Sequence, residues 1–145
     1  MNIIFIVEDN GVQQEIVNIP VVQNIEPVNC ETMDEEFNTI NGKTLNLIGG
    51  KGLRSFSFSS FFPSKRYSFV SFFNFQSPKY YINFFEKYRD ARVPLRIIIV
   101  DKYRVVLNML CRYNFTYSFR DKAGDVPYTL DIKEYILPGE VDNNV

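Results

Sequence analysis

Apolar and polar residues alternate with a period of two over much of this chain, a pattern that predicts strands. Ile3 to Val7 is a β-branched and aromatic run closed by Glu8-Asp9-Asn10-Gly11. Asn10-Gly11 is a hairpin dipeptide, so Val12 to Ile19 reads as the returning strand. Pro20 and Pro27 bracket an extended stretch, and the polar, acidic Asn29 to Glu36 reads as a loop. Phe37 to Ile40, a second hairpin signal at Asn41-Gly42, and Thr44 to Ile48 follow. Gly49-Gly50-Lys51-Gly52 reads as a flexible hinge or tight turn.

From Leu53 to Phe62 the alternation is clear. Leu53, Ser55, Ser57 and Ser59 fall on one side; Arg54, Phe56, Phe58 and Ser60 fall on the other, so the phenylalanines face a core. Phe61-Phe62-Pro63 ends that strand, and the aperiodic, aromatic 64–76 reads as a long packed loop. A helix is predicted over about 77–92. Ser77 suits its N-cap and Pro78 its first position, while Tyr81, Phe84, Phe85 and Tyr88, with Ile82 beside them, form its buried stripe. Leu95 to Val100 is a strand, and Asp101-Lys102-Tyr103-Arg104 a turn. Val105 to Phe119 is too long for one flat strand and reads as bent or bulged, with Phe115, Tyr117 and Phe119 on a shared face. A turn at Lys122 to Asp125 leads to a last strand that turns Tyr128, Leu130 and Ile132 one way. The sum is a mainly β (α+β) fold, antiparallel, with one packed helix. It forms a single domain over 1–145: an acidic hairpin and arm region at 1–42, a core at 43–137, and a polar tail at 138–145.

Charge adds something the strand pattern does not. The net charge is only −1, but residues 1–42 hold eight acids and no Lys or Arg. Residues 43–104 hold twelve basic groups and three acids, for +9, and the remainder carries −2. Such blocks bear on partners rather than on fold. Either the acidic block folds over the basic one, or it meets the basic face of a neighbouring copy.

Composition narrows the chemistry. With no histidine among 145 residues, Ser-His-Asp and Cys-His catalysis and histidine-based metal sites are excluded. Cys30 and Cys111 form no CxxC and read as two free, mostly buried thiols of a reducing compartment. The first residues lack a basic n-region, so no signal peptide is expected, and no apolar run has the length of a membrane span. Gly42-Lys43-Thr44 lacks the first glycine of a phosphate loop, and Asp34-Glu35-Glu36 lacks the alternating ligands of a calcium loop. No catalytic residue, cofactor or metal site is expected.

Four stretches carry a resemblance. LRSFSFSSFFP (53–63), SPKYYINFFEKYRDARVPLRIIIV (77–100), LNMLCRYNFTYSFRDKAGD (107–125) and PYTLDIKEYI (127–136) resemble, in order and with compatible spacing, the N-terminal domain of XkdP-like proteins of contractile phage tails. The resemblance covers about the last two-thirds of the chain; the first forty residues match less clearly. It implies a β-sandwich or barrel of tail-tube type and a non-enzymatic role in a baseplate or in tube initiation. It further implies self-assembly into a ring of hexamer type, with tail-tube and baseplate-hub proteins as partners, in a virion tail assembled in the bacterial cytoplasm. No small-molecule substrate and no membrane partner is implied. Family members continue into a LysM module, which this sequence does not contain, so the role of LysM is not carried over. Interface candidates are Lys65, Arg66, Tyr67, Phe69, Phe72 and Phe73 in the aromatic loop, and Asp34, Glu35 and Glu36 in the acidic block. The alternative is a small single-stranded nucleic-acid-binding β-barrel that stacks bases on Tyr67 and its neighbours; the lack of net positive charge weighs against it.

Overall fold

The computed structural model describes residues 1–9, 12–65 and 76–138. The strands are β1 (Asn2–Asp9), β2 (Val12–Asn18), β3 (Asn29–Thr32), β4 (Glu35–Asn38), β5 (Thr44–Leu47), β6 (Lys51–Phe62), β7 (Leu95–Asp101), β8 (Arg104–Tyr117) and β9 (Val126–Glu134). One helix, α1 (Pro78–Asp90), lies between β6 and β7. Seven strands make one sheet in the order β2-β1-β7-β8-β9-β6-β3, and β4 and β5 make a second. Every pairing is antiparallel, as the period-two pattern and the hairpin dipeptides predict.

The large sheet cannot be flat. Ile19 donates its N–H to the Ile3 carbonyl on β1 at 2.9 Å, and the Val21 carbonyl accepts the Ser60 hydroxyl of β6 at 2.7 Å. Those anchors are two residues apart, a span of at most about 7.6 Å. In a flat sheet β1 and β6, four places apart, would lie about 19 Å from each other. The sheet therefore curls toward a barrel, and the chain from β2 to β3 crosses the seam. Its first part lies on β1; its second lies on β6, through the Ile25–Phe58 bridge and the Glu26 N–H to the Ser57 carbonyl.

Alternation turns one face of each long strand inward. Ile3, Phe5 and Val7 of β1, Leu95, Ile97 and Ile99 of β7, and Tyr128, Leu130 and Ile132 of β9 are buried there. The helix packs on this inner face through its predicted stripe. Tyr81, Phe84 and Phe85 are buried, and Tyr88 and Ile82 are partly so. Phe62 is held between Tyr128 (centroids 4.0 Å) and Tyr81 (4.9 Å), while Phe85 meets Phe5 edge-on at 5.2 Å and stacks on Phe115 at 5.2 Å. Tyr113 donates its hydroxyl to the Phe85 carbonyl at 2.6 Å, fixing the helix against β8. Ser77 occupies the N-cap in extended conformation without a side-chain bond, and Lys87 and Arg89 lie in the last turn, where cations oppose the helix dipole.

The structure corrects several sequence expectations. Asn29 to Glu36 is not a loop: it holds β3 and the start of β4, because paired strands satisfy its backbone despite the polar side chains. Gly49 to Gly52 is neither hinge nor turn, since the Gly50 carbonyl accepts the Met33 N–H at 2.8 Å and β6 begins at Lys51. Cys111 is buried but Cys30 is exposed; both are free thiols. Phe115, Tyr117 and Phe119 share parity but not burial. Phe115 is in the core, Tyr117 is half-exposed and donates to Glu86 at 3.2 Å, and Phe119 lies beyond the strand in water. The bulge in the β7–β8 ladder sits near the beginning of β8.

One ion pair seals an end of the sheet. Arg54 donates to Glu134 from its backbone N–H (3.0 Å), Nε (3.3 Å) and Nη2 (3.1 Å). Burial alone raises the Glu134 pKa, but the bonds from Arg54 outweigh it and hold the carboxyl below its ordinary value. A carboxyl depressed in the folded state stabilises above its unfolded pKa and loses that contribution as pH falls through the folded value. Glu134→Gln should cost about 1–3 kcal/mol at neutral pH and shrink toward no difference in strong acid; urea unfolding at pH 7 and at pH 3 measures both. Phe85→Ala should cost about 3–5 kcal/mol in the same assay.

Candidate functional site

Beyond the β3–β6 ladder the chain continues as a ribbon that leaves the barrel. The pairing Asn29↔Ser55 and Cys30↔Arg54 slips by one residue to Thr32↔Lys51, and again to Glu35↔Leu47. Two slips bend the ribbon without breaking it. Its neck is tight: a Cβ on Gly49 would overlap the Met33 carbonyl, and one on Gly52 would sit 2.5 Å from the Glu31 carbonyl oxygen. The Gly49 N–H also donates to Asp34 Oδ1 at 2.9 Å. The arm is thus a built extension of two barrel strands.

Its register produces two unlike faces. Glu35 and Phe37 lie opposite Leu47 and Leu45 on one side, and Glu36 and Asn38 lie opposite Asn46 and Thr44 on the other. Thr39 and Lys43 pair backbone to backbone at 2.7 Å, so the turn is the three residues Ile40-Asn41-Gly42, with Gly42 at φ +78°. A two-residue Asn-Gly turn would shift the pairing by one and put Phe37 and Leu45 on opposite faces. As folded, Phe37 is 44% exposed, Leu45 43% and Leu47 54%, with Met33, Ile40 and Ile48 also in water. A two-stranded ribbon has no second layer to cover such a face. Contiguous apolar surface of this kind marks an interaction site.

A second uncovered patch lies at the β7–β8 turn. Asp101 pairs with Arg104 across Lys102 and Tyr103, and Lys102 is held at φ +58°, a left-handed conformation strained for a lysine. The register shift leaves Val106 unpaired between Val100↔Val105 and Ile99↔Leu107, so two successive valines face solvent, Val105 at 61% and Val106 at 54%. Tyr103 is wholly exposed.

Part of the acidic block follows the first of the two possibilities that sequence left open. Arg96 of β7 donates to Glu8 of β1 at 3.0 Å, while Glu15 of β2 accepts from Tyr88 at 2.5 Å and lies 3.9 Å from Lys87. That half of the acidic block is folded onto the basic one. Glu26, Glu31, Asp34, Glu35 and Glu36 form no ion pair among the described residues. Of the interface candidates, Asp34 braces the neck, with Thr32 also donating to it at 2.9 Å, while Glu35 and Glu36 stand on opposite faces of β4. Lys65 is exposed at the far end of β6. Arg66, Tyr67, Phe69, Phe72 and Phe73 lie outside the described residues. The apolar arm face and the β7–β8 patch escaped sequence reading, because each depends on a one-residue register slip.

No cluster of three or more Cys, Asp and Glu side chains converges as metal ligands among the described residues. A cleft of about 630 Å³ forms an open polar trough on the outer side of β6, β8 and β9, lined by Ser57, Asp131, Arg112 and Lys133. Ser57 donates to Asp131 at 2.5 Å within it.

No protein-family model matches the chain. It is 27% identical over 119 residues to the uncharacterized protein YqbP of Bacillus subtilis (strain 168), an alignment covering 81% of this chain and 53% of YqbP. The chain thus spans about half the length of that relative.

Two measurements check the site as described. Gly49→Ala should loosen the arm while sparing the barrel, seen as faster amide exchange over 33–48 with unchanged protection in β6 to β9. Iodoacetamide should modify Cys30 in the native protein and Cys111 only after unfolding, because burial both shields the Cys111 thiol and pushes its pKa up to about 12.

Proposed function

We propose that this chain is a non-enzymatic structural subunit of a contractile phage tail or a related particle, acting in the baseplate or in initiation of the tail tube. The observation that carries the reading is the arm: an amphipathic β-ribbon held out from a folded barrel with its apolar face in water. Burying such a surface against another chain is favourable, which makes it a natural assembly contact. The resemblance to XkdP-like N-terminal domains supplies the setting, and the similarity to YqbP is compatible with it. In this reading the subunit associates with copies of itself in a ring of six and docks to tube and hub proteins. It works in the virion tail after assembly in the bacterial cytoplasm.

Native mass spectrometry of the chain alone and mixed with its cognate tube and hub proteins tests this. The expected result is a closed oligomer or a mixed complex. A chain that stays monomeric and engages none of those proteins at high concentration would count decisively against the proposal. Fluorescence anisotropy with a single-stranded oligonucleotide should show no salt-dependent binding.

A further inference from the structure

The geometry points to a specific contact between copies: the β4–β5 arm of one subunit seats on the β7–β8 turn of the next. This rests on the self-assembly reading above and names the two surfaces that carry it. The arm presents Phe37, Leu45 and Leu47, with Glu35 beside them on the same face. The turn presents Tyr103, Val105 and Val106, flanked by Lys102 and Arg104. Residues 31–51, the arm and its neck, carry four acids and two lysines, for −2, and residues 101–106 carry Asp101 against Lys102 and Arg104, for +1, so the two apolar surfaces sit in fields of opposite sign. Lys102 and Arg104, like Glu35, form no ion pair among the described residues.

Topology sets the two apart within one subunit, at the same end of the barrel. β6 runs away from the arm, β9 returns toward that end, and β8 leaves it again, so the arm and the β7–β8 turn share one end of the barrel. β9 and β6 stand between β8 and β3 in the curled sheet, which sets the two surfaces on different sides. In the single subunit both are uncovered. A patch on one side that fits a different patch on another side of the same molecule generates a heterologous contact. Repeated, that contact closes a ring or extends a chain. The strained Lys102 and the bulge at Val106 are explained by the same role: both turn side chains outward that a regular hairpin would leave turned inward or replace with glycine.

The test uses two variants that leave the core untouched. Phe37→Asp with Leu47→Asp disables the arm, and Tyr103→Ser with Val106→Asp disables the turn; thermal unfolding checks that each is folded. By sedimentation velocity, each variant alone should lose self-association by about tenfold or more. Mixed in equal amounts they should form a one-to-one dimer that grows no further, because only one live arm and one live turn remain. Glu35→Lys should weaken assembly in the same way, and Lys102→Glu in the partner should restore it. Wild-type-like assembly by either single-surface variant overturns the contact while leaving assembly itself intact, as does a mixture that stays monomeric. Wild type that is monomeric alone but binds tube or hub protein overturns the contact and spares the function. Wild type that binds nothing overturns both.

Discussion

The barrel depends on a seam two residues wide. Ile19 bonded to β1 and Val21 bonded to β6 draw the margins of a sheet together that would otherwise lie several strand spacings apart. Once the sheet is curled, its inner face becomes concave, and a single helix is enough to fill it. That explains why so much of the core is aromatic. The space between a curved sheet and a helix is wide, and rings such as Phe62, Tyr81 and Tyr128 span it by stacking where aliphatic side chains would leave voids.

Curling also decides where surface chemistry can sit. Curling brings the margins of the sheet close together, so much of the uncovered apolar surface falls on what projects from its ends. Here one end carries both a ribbon with an uncovered apolar face and a turn whose valines and tyrosine face water. Charge follows the same division. Acids beside the barrel, Glu8 and Glu15, pair with Arg96 and Lys87 and bind β1 and β2 to their neighbours. Of the acids on and beside the arm, Asp34 is tied to the neck, while Glu35 and Glu36 form no ion pair among the described residues.

Strand positions, the helix and its buried stripe were legible in the sequence, because period-two and period-3.6 patterns report burial directly. The aromatic stripe of α1 and the inward sets on β6 and β9 fall where alternation puts them. What was not legible lies where backbone pairing, rather than side-chain burial, sets the structure. β3 is wholly exposed and polar, so no apolar signal marks it. The amphipathic arm face arises only because the turn has three residues instead of two, and the paired outward valines only because one residue bulges. Asp34, Glu35 and Glu36 were singled out by charge, yet their roles differ: Asp34 bonds a backbone N–H, while the other two point to opposite sides of a strand.

The glycine neck has a consequence for how such a protein can change over generations. Because Gly49 and Gly52 let two backbones touch, the heading of the arm is set by main-chain contact and not by the residues farther out. Substitutions at the tip can therefore alter the surface it presents while the limb still points the same way. Surface and posture are encoded in separate stretches of sequence, so the outer face of the limb can be rewritten without rebuilding the body that carries it.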